Sequence, residues 1–192
     1  MTRISTRTDR WPVSPDSPTG VSSLAGALSQ DYRRAPEPIG WDPLKEPDAL
    51  DDAQLLDCRV CPTANRAALL FDMRGALFYP TGNSALLVVR RLQSFHWSGA
   101  PQENKLMAFS VTSSRPSGAD AEGFRLELEL EFFPDGEVAV GGVSADFYLL
   151  DAHGISEAPP SYPGHELDQV RHDLPSWTSG CTLLQSATTG GK

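Results

Sequence analysis

The segment Phe-Arg-Leu-Glu-Leu-Glu-Leu-Glu-Phe at residues 124–132 constrains the fold more than any other part of the chain. Successive side chains of an extended backbone point to opposite faces, so Phe124, Leu126, Leu128, Leu130 and Phe132 share one side. Arg125, Glu127, Glu129 and Glu131 share the other. On a helix the same residues would scatter around the circumference and bury nothing together. A strand with a greasy inner face and an acidic wet face is the reading that separates them. Pro134-Asp135-Gly136 follows. Proline presets φ, aspartate bonds its own backbone and glycine accepts positive φ, so a second strand is expected to return beside the first as a hairpin.

The same texture extends over most of the chain. From about Gln54 onward, short apolar runs alternate with turn residues, which predicts strands at 55–60, 66–73, 85–97, 105–112, 124–132, 137–141 and 143–150. The run Ser84–Trp97 does not alternate cleanly, because Leu86 and Val88 share parity with Arg90 while Leu87, Val89, Gln93, Phe95 and Trp97 take the other. A bulge or bend near Arg90-Arg91 resolves this. Sixteen Pro and sixteen Gly favour many turns over long helices. Leu167, Val170 and Leu174 are spaced for one short helix, which Pro175 ends. The expected class is mainly β, all-β to α+β: an antiparallel β-sandwich or curled sheet with one or two short helices.

With 192 residues, one domain is expected, at 49–185. Residues 1–48 hold seven prolines among small polar residues and read as a flexible basic arm. Within it Val21, Leu24, Leu28 and Tyr32 share a helical face, which predicts a short helix at 19–34. Pro47 and the acidic residues after it suit a helix N-terminus. Residues 186–192 are small and polar and are expected to fray.

Charge narrows the function. The formal charge is −9, yet residues 1–34 carry five Arg against three Asp, so the body is more negative than the total. Such a body repels phosphates and favours basic partners, which argues against nucleic acid as a ligand. There is no membrane-length apolar run. The N-terminal residues lack the apolar core of a secretory signal, so a soluble, cytoplasmic protein is expected.

Motifs for chemistry are weak. Cys58 and Cys61 form a C-x-x-C that, with Cys181 and His172, could build a four-ligand zinc site. They lie on an expected strand, however, where positions three apart face opposite sides. Cys181 or one of the histidines His96, His153, His165 and His172 is the only route to an unrecognised enzyme. No nucleophile elbow or phosphate-binding glycine pattern accompanies them. No metal and no cofactor is expected. Trp11 and Trp41 stand in the Pro-rich arm, where an indole marks a segment that docks on a partner or on its own domain.

The strings Ala67-Ala-Leu-Leu-Phe-Asp-Met-Arg-Gly-Ala-Leu77 and Glu157-Ala-Pro-Pro-Ser-Tyr162 resemble uncharacterised β-rich proteins of actinobacteria. The acidic body is similar to that of bacterial toxin-immunity proteins. Over about residues 50–185 this resemblance implies a noncatalytic role and brings no catalytic residues. The expectation that follows is a binding or accessory protein that presents Glu127, Glu129, Glu131, Trp11 and Trp41 to a protein partner of basic character. The alternatives are an unfamiliar enzyme and a structural subunit of a larger assembly.

Overall fold

The alternating segment is a strand, and its partners explain how the rest of the chain is arranged. The structure, a computed structural model, describes residues 22–24, 37–99, 107–118, 123–131 and 136–189. In chain order its strands are β1 (Ser22–Ser23), β2 (Glu37–Pro38), β3 (Gln54–Cys61), β4 (Arg66–Asp72), β5 (Ser84–Gly99), β6 (Phe109–Ser117), β7 (Phe124–Glu131), β8 (Gly136–Ala152) and β9 (Gly180–Thr189). Among the described residues the one complete helix, α1 (Leu167–Arg171), precedes β9. The protein is mainly β, as expected: a single curled sheet, antiparallel except where β2 runs parallel to β9.

The curl closes on itself. β3, β4, β5, β8, β7 and β6 pair in that order, and β6 returns to β3 through Gln54↔Ser110 and Leu55↔Phe109. Two long strands make this possible. β5 has sixteen residues and β8 seventeen, and they run opposite each other from Ser84↔Leu150 to Gly99↔Gly136. The first half of β8 also pairs with β7 and the second half with β9. Each long strand therefore belongs to two half-sheets that face different ways.

The bend between the halves falls where the broken parity of β5 predicts it. The register slips between Leu92 and Ser94, and Arg91 adopts φ 49°. Opposite the bulge lie Gly141 and Gly142, and the reason for glycine is contact. A Cβ on Gly142 would stand 2.6 Å from Val89 Cγ1 and 2.7 Å from the Arg90 carbonyl oxygen. The expectation of two strands, 137–141 and 143–150, is thus corrected to one bent strand, because the glycines let the backbone turn without ending its ladder.

Two cores result. Inside the curl, Leu126, Leu128 and Leu130 meet Val138, Val140, Leu69, Phe71, Leu87, Val89 and Phe147. On the outside of β4, β5 and β8, Ala68, Leu70, Leu86, Val88, Tyr148 and Leu150 form a second cluster, covered by Leu24 and Trp177. Strands buried on both faces read as unbroken apolar runs, which is why Ala67–Phe71 and Ala85–Val89 do not alternate.

Several boundaries differ from the sequence reading. β9 extends to Thr189, which pairs with Ala145, so residues 186–189 are strand rather than frayed tail; their small side chains suit a flank against β8. The segment before residue 49 contributes to the fold as well. Ser22–Ser23 and Glu37–Pro38 pair with β9, and Leu24 and Leu44 are wholly buried. Of the helix expected at 19–34, Ser22–Ser23 are strand and Leu24 is helical; the remainder lies outside the described residues. After Pro47 the chain makes consecutive turns instead of a helix. Asp48 and Asp52 sit there at φ 58° and 62°, and the Asp48 and Asp52 N–H groups donate to β6 carbonyls at Ser114 and Val111. β6 itself runs to Ser117 rather than 112. Among the described residues β6 pairs at Pro116 only with β7, at Leu126, so its missing N–H breaks no second ladder there.

Candidate functional site

Three features bring polar side chains together. The first is a buried arginine. β4 ends at Asp72, whose carboxylate receives Arg74 Nε at 2.9 and 3.1 Å and Nη2 at 2.6 Å. The other guanidinium donors reach the carbonyls of Ser156 at 3.0 Å, Ala158 at 2.8 Å and Asp173 at 2.7 Å. The Arg74 and Asp72 side chains are 2% and 1% exposed. Arg74 thereby pins the Pro-rich crossing 156–173 to the sheet. Burial pushes Asp173 up, yet hydrogen bonds from Ser156 Oγ and N–H, with the Arg74 charge, hold its carboxyl below 3.8. Burial likewise pushes the Tyr162 phenol up to about 12, and its hydroxyl donates to Gln54 Oε1 at 3.0 Å. Every group here serves its neighbours, so this cluster is structural.

The second is an open cleft of about 590 Å³ beside that cluster, whose lining includes Tyr79, Asn83, Asp151, His153 and Glu157. Asn83 and His153 are already engaged within the fold. Asn83 exchanges two hydrogen bonds with the Ala152 backbone at 2.9 and 2.6 Å, and His153 Nε2 lies 3.0 Å from Thr182 Oγ1.

The third is the wet face of the half-sheet β5–β8–β7–β6. Leucines turned inward leave Arg125, Glu127, Glu129 and Glu131 outward along β7, as the alternation requires. Neighbouring strands modify that row. Arg115 of β6 meets Glu129 at 2.7 Å, and Arg125 meets Glu127 at 2.8 Å. Across the other edge of β7, Glu137 stands directly opposite Glu129, an arrangement that costs a sheet stability. Among the described residues neither Glu137 nor Glu131 has an ion-pair partner. The small side chain of Ala139 lets the surface sink between His96 on one side and Glu127 and Glu129 on the other. The resulting trough is about 210 Å³. Arg115 and Arg125 line it too, so its three glutamates and two arginines sum to one negative charge.

The residues singled out by sequence therefore separate. Glu127, Glu129 and Glu131 share this face, with the first two partly neutralised. Trp41 lies far along the chain from them, half-exposed and stacked on Phe78 at 4.4 Å, while Tyr79 donates to its carbonyl at 2.9 Å; the indole thus docks on its own domain. Trp11 lies outside the described residues. His96, Glu137 and Arg115 were not singled out with the acidic row; the register of β5, β8 and β6 brings them to it, and a single strand's alternation carries no signal of that.

The cysteines do not converge. Cys58 packs against the inner core, and burial, with the Asp57 charge, pushes its thiol up to about 12. Cys181 is buried in the outer core, where burial pushes it up to about 11. A nucleophilic thiol needs the opposite shift, so the enzyme reading built on Cys181 is not supported. Among the described residues no three His, Cys, Asp or Glu side chains gather to hold a metal ion. No helix among them is long and apolar enough to cross a membrane.

Fold and site together define a mainly β protein whose curled sheet is covered outside one half and bears a charged trough on the other. Comparisons with protein-family models, curated proteins and solved structures return no match.

Proposed function

We propose that the protein is a noncatalytic binding protein that uses the wet face of β5, β8, β7 and β6 to dock a basic surface of a protein partner, in the manner of an immunity or accessory protein. The observation that carries this is Glu137. It sits opposite Glu129, unpaired among the described residues, at the rim of a trough of net negative charge. A carboxylate held against another carboxylate is a cost to the fold, and a cation from a partner relieves it. The formal charge of −9 steers such a partner in and repels nucleic acid.

The test is affinity purification from the native host on the full chain and on E131K/E137K. The native chain should retain a basic protein that elutes at about 1 M salt, where charges are screened beyond ~3 Å, and the variant should lose it. Retention of the same protein by the variant, or elution insensitive to salt, refutes the reading.

A further inference from the structure

Strand β5 is bordered on both sides only as far as Arg90. Up to that residue it lies between β4 and β8. Beyond it the Leu92 N–H still donates to the Asn65 carbonyl at 3.0 Å. From Ser94 to Gly99 β8 alone pairs with it among the described residues, Gln93 being the bulged residue. A strand edge of this kind presents a row of backbone donors and acceptors that an extended chain completes. Natural sheets usually blunt such edges with lysine, proline or an inward charge. The segment Gln-Ser-Phe-His-Trp-Ser-Gly has none of these; its one blunting feature is the bulge between Leu92 and Ser94, at its start. Trp97, 45% exposed, leans edge-on against Phe109 with ring centroids 5.6 Å apart, leaving half an indole for an incoming side chain.

We propose that the edge of β5 from Gln93 to Gly99 accepts an extended segment of a basic partner protein as an additional strand. The proposal rests on the reading of the wet face as the docking surface and specifies how it is engaged. Alternate side chains of the incoming strand go to two different places. Those on the inner side meet Phe95 and Trp97 and are apolar. Those on the outer side lie beside Ser94, His96 and Ser98, one strand removed from Glu137, since Ser98 pairs with Glu137. At ~4.8 Å per strand spacing, a lysine reaches across β5 to that carboxylate. A second copy of the chain is the poorer occupant, because at −9 each copy repels the other.

The probes are three capped nonapeptides added to the full chain: alternating Lys and Val, alternating Glu and Val, and the Lys–Val sequence N-methylated at alternate residues. Binding is read by tryptophan fluorescence, and amide hydrogen exchange at 93–99 by NMR. The Lys–Val peptide should slow exchange of the edge amides about tenfold or more, and N-methylation should weaken it at least about tenfold, since several backbone hydrogen bonds are lost. Glu137→Gln should weaken it roughly two- to fivefold, the worth of an exposed ion pair. Equal binding of the N-methylated peptide overturns the edge proposal and leaves the charged face standing. Equal protection by Lys–Val and Glu–Val peptides keeps the edge and sinks the charged-face reading. Edge amides already protected in the chain alone overturn the proposal. Concentration-dependent protection then assigns the edge to a second copy, and concentration-independent protection to the chain's own residues.

Discussion

Removing Arg74 while keeping Asp72 tests the account of how the crossing 156–173 is held. In Arg74→Met the Asp72 carboxylate, 1% exposed, loses its only counter-ion of the described structure at hydrogen-bond distance, and breaking a buried pair from one side costs about 3–5 kcal/mol. The Ser156, Ala158 and Asp173 carbonyls lose donors as well. They lie near water and recover part of it, adding about 1 kcal/mol. The expected loss is about 4–6 kcal/mol, a large share of a domain's usual ~5–15 kcal/mol. Urea unfolding followed by tryptophan emission measures it. Arg74→Lys, which keeps the charge but not the fork, should fall about 2–3 kcal/mol. Asp72→Leu combined with Arg74→Met should lose far less than the two single changes summed, with a coupling of at least ~2 kcal/mol. A loss under ~1 kcal/mol in Arg74→Met, or simple additivity in the double variant, refutes the reasoning.

Gly142→Ala places a methyl 2.6 Å from Val89 Cγ1 and 2.7 Å from a backbone oxygen; it should cost about 2–3 kcal/mol, seen as a lower thermal midpoint, and an unchanged midpoint contradicts the contact. Glu137→Gln should leave the fold as stable as before or up to ~0.5 kcal/mol more stable, since it removes a like-charge pair; clear destabilisation shows that Glu137 has a structural partner. Stability should fall as pH rises from about 9, where the Cys58 thiol of the unfolded chain ionises, towards about 12, its value in the fold. The unfolded state holds fewer protons in that window, so the slope is negative; Cys181 and Tyr162, also raised, add to it, so Cys58→Ala should make it shallower without abolishing it, and an unchanged slope contradicts the Cys58 contribution.

The inner face of the fold was legible in the sequence because β7 is wet on one side and dry on the other, so its alternation declares both. The bend at Arg90-Arg91 was legible for the same reason, as a break in parity. β9 was not, because Ser186, Thr188 and Thr189 are small and polar and Ala187 alone touches the inner core, so their place is set by the ladder to β8. The burial of Leu44 and Leu50 was hidden by the Asp, Glu and Pro around them, of which Pro47, Asp48 and Asp52 are exposed while the two leucines are not. For the site, the acidic row was visible but its partial neutralisation was not, since Arg115 comes from a different strand. Arg74 read as an ordinary turn residue after β4. Its Nη1 and Nη2 groups find carbonyls 82 to 99 residues away, and no local pattern encodes that.

The closure of the curl through β8 also governs the order in which a growing chain becomes safe. Ser84 hydrogen-bonds the Leu150 carbonyl across 66 residues, and neither core is complete until β8 and β9 exist. Contacts that distant slow folding, and meanwhile the strand holding Leu126, Leu128 and Leu130 waits with a bare apolar face. Its alternate glutamates then act as gatekeepers, keeping the unmated strand from joining the same strand of a neighbouring chain.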